Sequence, residues 1–386
     1  MKLVTRSYSM GSGWSDEPPS ELDSESTLVV VFGAAELDGV HAPLKHLLAR
    51  FGRSHVVGCS TAGEIFENAL TDNSLSVAVA QFEHGTRVAT ASARVQSQQE
   101  SFAAGESIAR QLEGPSLRGV LLFSDGLNVN GTELVRGLNS VLPSHVVVTG
   151  GLAGDGPRFQ RTWVVHEGDA RSNVVCAAGL YGPSVTIGHG SRGGWDNFGP
   201  ERRVSRSRGN LLVELDGRPA LELYKEYLGD LASGLPATGL LFPLALRADA
   251  EDEKSLVRTI LAVDERAQTM TFAGDIPEGA LVRLMRANFD RLIDGASEAA
   301  SMAAEAHATQ TTAETLAIAI SCVGRRLVLG ERSEEELEAC LDELSGGTRQ
   351  IGFYSYGEIS PYATGLCDLH NQTMTLTTIR EHAAAA

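Results

Sequence analysis

The chain alternates short runs of continuous apolar residues with segments in which apolar positions recur every three or four residues. Residues 28–32, 120–123 and 316–320 are apolar throughout, which predicts strands buried on both faces. Each run leads into an amphipathic helix. After the first, Leu44, Leu47, Leu48 and Phe51 share a face, with Pro43 in the opening turn and Gly52 as the stop. After the second, Leu134, Val135 and Leu138 share a face, Thr132 is the expected N-cap and Pro143 lies beyond the end. After the third, Ser333-x-x-Glu336 reads as a capping box ahead of Leu337, Cys340, Leu341 and Leu344, and Gly346-Gly347 close the helix.

Each helix is followed by a second strand and a Gly-rich turn. Residues 55–57 enter the turn 58–65, residues 146–148 enter 149–155, and Ile351 enters 352–359. Third strands follow at 75–82, 162–165 and 372–379. The first and third turns align without a gap: Gly58 on Gly352, Thr61 on Ser355, and Gly63-Glu64-Ile65 on Gly357-Glu358-Ile359. The pattern predicts an α/β protein of two related halves. Each half is a mixed sheet flanked by helices, built on an internally duplicated strand–helix–strand–Gly turn–strand unit.

Between the second and third copies, 174–181 and 183–190 read as a hairpin about Gly182-Pro183. Residues 210–215 run into an Asp216-Gly217 turn, 220–228 are helical, 256–263 and 268–272 form another hairpin, and 289–308 form an Ala-rich helix. Residues 1–26 are expected to be a flexible N-terminal arm, edge-paired over Leu3 to Tyr8. The chain then divides into 27–219, 220–380 and a tail at 381–386.

Composition narrows the function classes. At 386 residues the chain exceeds a single ordinary core. Its net charge of −17 works against binding nucleic acid or an anionic membrane surface. No apolar stretch approaches the ~20 residues of a membrane span, and no secretory signal precedes Ser12. The five Cys (59, 176, 322, 340, 367) include no C-x-x-C pair, which argues against a disulfide scaffold and a structural zinc site. A cytoplasmic, soluble protein is expected. Residues 188–193 match G-x-G-x-x-G, but no helix pattern follows, so they are read as a mobile loop from which Arg192 or Trp195 covers a ligand. No P-loop occurs, and no cofactor is expected. The Arg192, Arg202, Arg203, Arg206, Arg208 cluster is expected to be a solvated loop or to pair within the chain with the acidic runs 249–253 and 331–343, ahead of serving as a phosphate or partner site.

The repeated turns carry the candidate chemistry. Glycines such as Gly63 and Gly151 let backbone approach a ligand closely. Ser60, Thr61 and Ser355, with free N–H groups and Cys59 beside them, suit an anion. Glu64, Glu358 and Asp155 suit an ammonium. Together they fit a small zwitterion such as an amino acid, although each Glu serves equally well as internal turn chemistry. Ser124, Asp125 and Arg325 lie at the other strand ends, where ligands sit in such sheets, although Asp125 serves equally well in an N-cap or Asx-turn and Arg325 on the surface; Tyr354, Tyr356 and Asn371 are expected to shape the pocket. Two other readings stand beside this one: a hydrolase or thiol enzyme using Cys59 or Ser60, with His370 downstream, and an interaction scaffold without a ligand.

At 57–65, Phe123-Ser-Asp-Gly126 and 150–155, and again at 214–220 with Tyr224, 321–325, 352–359 and 369–373, the sequence resembles the FIST family. That two-part sensory domain is named for F-box and intracellular signal transduction proteins. The resemblance implies a small-molecule sensor, suspected to bind amino acids, in bacterial signalling. Relatives carry fused outputs such as a histidine kinase, a chemotaxis region or a cyclic-dinucleotide enzyme. Neither these nor an F-box is found here, so the output is expected to be a separate partner protein.

Overall fold

The structure, a computed structural model, describes residues 1–386 apart from 37–38, 250, 252–254, 308–313, 362–365 and 383–386. Most of the expected tail, and part of the 249–253 acidic run, therefore lie outside the described residues.

Three mixed sheets repeat one plan. In the first, strand Thr27–Ala34 leads through helix α1 (His41–Arg50) to the parallel strand His55–Thr61. Strand Ser74–Gln81 then returns antiparallel, and Lys2–Ser9, inside the segment expected to be a loose arm, pairs along its outer side. The apolar face of α1 (Leu44, Leu47, Leu48) covers the sheet's Val29, Val31 and Val77.

The second unit runs from edge strand Arg87–Arg94 through α2 (Ser101–Leu112) to Leu117–Ser124. It continues through α3 (Gly131–Asn139) to the parallel strand Val147–Leu152 and returns on Val174–Tyr181.

The third opens with Val185–Arg192 and is interrupted by an eight-stranded inserted sheet, residues 196–286, carrying α4 (Ala220–Leu228). It resumes with α5 (Phe289–Glu305), strand Thr315–Cys322, α6 (Val323–Leu329), α7 (Ser333–Asp342), the parallel strand Thr348–Ser355 and the return strand Met374–Glu381.

The hairpin after each Gly-rich turn leaves its own sheet. Glu64–Phe66 of the first unit pairs with residues 351–353 of the third. Val164 of the second pairs with Cys59 of the first, and residues 357–359 of the third pair with 150–152 of the second. A ring of backbone hydrogen bonds closes the exchange: Ala62 N–H to Tyr354 O (2.8 Å), Gly154 N–H to Ser60 O (3.0 Å) and Tyr356 N–H to Leu152 O (3.1 Å). Phe32, Phe123 and Phe353 pack on one another, with centroids 4.6–6.2 Å apart.

This junction explains one glycine per unit. A Cβ at Gly58, Gly150 or Gly352 would lie 1.8 Å from the carbonyl oxygen of Val31, Leu122 or Ala319. Each of those residues is its partner on the neighbouring parallel strand. Only glycine permits that approach.

Several local expectations are corrected. Residues 188–192 are strand, not loop: Val185–Arg192 pairs with Met374–Glu381. Gly188 and Gly190 let α5 pack on it, since a Cβ there would meet Ala303 O or Ala299 O at 2.0 Å. Trp195 is buried, with its indole N–H on Gln372 O. Residues 174–181 and 183–190 do not form a hairpin with each other but lie in different sheets. The cap of α3 is Asn130, whose side chain accepts from Glu133 N–H, not Thr132. The capping box at Ser333 is not formed: Ser333 Oγ donates to Gly330 O, and Glu336 turns inward to Arg325. Three of the clustered arginines form ion pairs among the described residues, Arg192 with Glu298, Arg202 with Asp216 and Arg206 with Glu214, while most of the 249–253 run lies outside those residues.

Candidate functional site

The strand and turn that end the first unit open on a cleft of about 560 Å³. Thr61, Gly63 and Glu64 form one wall, and Asp72 and Asn73 lie beside them. Opposite stands α6 of the third unit. Val323, Arg326 and Leu327, the i, i+3, i+4 face of that helix, line the cleft, together with Gly330 just past its end. Arg158, from the loop after the second Gly turn, completes the wall.

Charges of both signs meet here. Arg326 is bidentate to Asp72 at 2.8 and 2.6 Å and also donates to Ala62 O at 2.5 Å. Arg158 reaches the exposed Glu36 at 3.2 Å. Glu64 is nearly buried. It accepts from the Thr61 hydroxyl and from Ser74 N–H (2.9 Å) and Oγ (2.7 Å). Burial pushes its carboxyl up to about 7, more than those three hydrogen bonds pull it down. The group thus changes charge close to neutral pH.

An apolar chamber of about 400 Å³ occupies the equivalent place on the third unit and shares Gly156, Pro157, Val323 and Leu327 with the cleft. Phe159, Leu261 and Leu327 line it with about half of each side chain exposed. Tyr356 stacks on Phe159 with ring centroids 4.4 Å apart. Thr259 Oγ1, on the same wall, is buried with no hydrogen-bond partner among the described residues.

Most of the other residues expected at a ligand site make hydrogen bonds within the protein. Ser60 Oγ donates to Gly154 O and accepts from Trp163 N–H. Glu358 is fully buried; it accepts from Ser355 Oγ (2.5 Å), Thr373 N–H and Thr373 Oγ1, and burial pushes it up to about 8. Asp155 accepts from the N–H groups of Phe159, Gln160 and Arg161 and from the Tyr356 hydroxyl. Burial alone would raise its pKa, but these hydrogen bonds outweigh it and hold the carboxyl below its ordinary range. Asp125 caps Leu127, Asn128 and Asn173 N–H, and Ser124 Oγ donates to Asp125 O.

Arg325 faces away from the cleft. It forms a fully buried ion pair with Glu336 at 2.6 Å and donates to Gly193 O and Leu292 O. The Tyr354 hydroxyl donates to the same Glu336. Gly151 lies inside the sheet against Gly357 O and Phe353. Asn371 is buried, and neither polar atom of its amide has a hydrogen-bond partner among the described residues.

Cys59 is buried among Val30, Phe32 and Val164. Burial, with Cys176 nearby, pushes its thiol far up. His370 is in another sheet, bonded to Ser360 O. Among the described residues no base is hydrogen-bonded to Cys59 or to Ser60, whose hydroxyl is held by Gly154 O and Trp163 N–H.

The residues missed from the sequence are Arg326, Leu327, Asp72 and Arg158. A helical reading of 323–330 would have found the first two, because it puts Arg326 and Leu327 on the face shared with Val323 and turns Arg325 aside. Among the described residues no three His, Cys, Asp or Glu side chains are grouped to hold a metal, and no helix is long and apolar enough to cross a membrane.

The FIST N domain matches residues 27–218 and the FIST C domain matches residues 220–361. No curated protein matches the chain. Two adjoining matches that together span most of the sequence place this chain in the FIST family of sensory signal-transduction domains.

Proposed function

We propose that the chain is a non-enzymatic, cytoplasmic sensor of a bacterial signalling system, and that it binds an amino acid or a similar small zwitterion in the cleft between the first Gly-rich turn and α6. One observation carries this reading: Thr61, Gly63 and Glu64 share a single cleft with Arg326, Arg158 and Asp72. The guanidinium groups suit a carboxylate, and Asp72 with Glu64 suits an ammonium. The adjoining chamber of Phe159, Leu261 and Leu327 suits an apolar side chain, which favours the larger aliphatic or aromatic amino acids. Binding is passed on to a separate signalling protein.

A thermal-shift screen of the amino acids against the wild-type chain and Arg326→Gln tests this. Saturation at 100 times Kd adds about 2.7 kcal/mol to stability, so a stabilising amino acid should stand out, and its shift should vanish in the variant. A shift of equal size in Arg326→Gln would move the site elsewhere.

A further inference from the structure

A third cavity, about 580 Å³, lies away from the Gly-rich turns, where α3 and the last hairpin meet the inserted sheet. One of its lining residues, Arg258, is 3% exposed. Its Nε donates to Asp275 O (3.2 Å), and its Nη1 donates to Val257 O (3.2 Å) and Leu369 O (3.1 Å). Among the described residues Nη2 has no acceptor, and no carboxylate stands within ion-pair distance of the guanidinium.

The other charges around the cavity are already engaged. Arg136 holds Glu133 at 2.5 Å and Arg247 holds Glu201 at 2.7 Å. Asp275 Oδ1 accepts from Asn130 Nδ2, Glu278 Oε1 accepts from Ser207 N–H, and Asp368 has a partner of its own.

A guanidinium taken out of water without a counter-ion is costly, and an anion brought to it recovers much of that cost. Burial lowers Arg258 to about 10, despite the opposing pull of Asp368 and Asp275, so it stays cationic at neutral pH. Those two carboxylates penalise a second negative charge nearby. The remaining wall includes Val135, Leu246, Leu256 and Leu369, which suits hydrocarbon. We propose that this cavity is a second ligand site, taking a small monocarboxylate with an apolar body whose carboxylate pairs with Arg258 Nη2. The site joins the second unit to the insert, and it stands independently of the zwitterion cleft.

Hexanoate and its neutral analogue hexanamide are the probes, titrated calorimetrically into the full chain. Hexanoate should bind saturably and hexanamide at least tenfold more weakly. Arg258→Gln should weaken hexanoate at least tenfold while leaving any amino-acid response of the other cleft in place. If Arg258→Gln does not fold, Leu256→Trp, which fills the cavity and keeps the arginine, should abolish hexanoate binding. Absence of saturable hexanoate binding to the wild-type chain, equal binding of hexanamide, or undiminished binding to either folded variant overturns the proposal.

Discussion

The N–H of Ala62 donates to the carbonyl of Tyr354 at 2.8 Å, and the equivalent bonds from Gly154 to Ser60 and from Tyr356 to Leu152 complete a ring that joins all three sheets. The Gly-rich turns are first of all the junction of the fold. The candidate ligand cleft lies on the outer side of the first turn, and its opposite wall, α6, is supplied by another unit.

The junction depends on close backbone approach. Gly58→Ala, Gly150→Ala and Gly352→Ala should each cost about 3 kcal/mol or more in chemical denaturation, because the new methyl lands on a paired carbonyl. Gly52→Ala, with nothing within 4 Å of its Cβ position, should stay within about 0.5 kcal/mol of wild type. Equal tolerance at all four positions would contradict the junction described.

Glu64 and Glu358 link stability to pH. An ordinary glutamate ionises near 4.5, whereas the folded ones ionise at about 7 and about 8. Between these values each of the two native side chains holds a proton that its unfolded counterpart has lost, so the stability they contribute falls as pH rises from about 5 to 8. Each residue should contribute roughly 1–3 kcal/mol to that fall. Glu64→Gln with Glu358→Gln should flatten the slope in denaturation measured across this range. Asp155, held below its ordinary value, contributes only in more acid solution. An unchanged slope in the double variant would rule out these two groups as its source.

Arg325 and Glu336 are a buried pair whose removal should be strongly asymmetric. Glu336→Gln should cost roughly 3–5 kcal/mol by leaving the guanidinium unpaired, while Arg325→Met with Glu336→Leu should recover part of that loss. Denaturation midpoints of the single and double variants check it. A single variant costing under about 1 kcal/mol would show that the pair is not closed off from water.

Local patterns in the sequence carry what is local in the structure. The strand–helix–strand order, the face of α1 and the glutamates of the two matched turns are all legible, because apolar spacing and turn chemistry act within a few residues. The hairpin exchange is not, since the edges receiving residues 64–66 and 357–361 belong to other units. Ser333-x-x-Glu336 has the pattern of a cap, yet a buried Arg325 outcompetes a helix terminus for the carboxylate. The glycines at 188 and 190 suggest a loop, although what they serve is the close approach of α5. The α/β class was legible for the same local reasons. The cleft was visible only on its turn side, because its Arg326 face belongs to a short helix following directly on a strand.

Calorimetric titration of single amino acids into the wild-type chain and Arg326→Gln tests most directly whether the first-turn cleft binds a small zwitterion. Saturable one-to-one binding of at least one amino acid with an apolar side chain is expected, weakened tenfold or more in the variant. Binding by none of the amino acids to the folded wild-type chain, or binding unaffected by loss of Arg326, would contradict it.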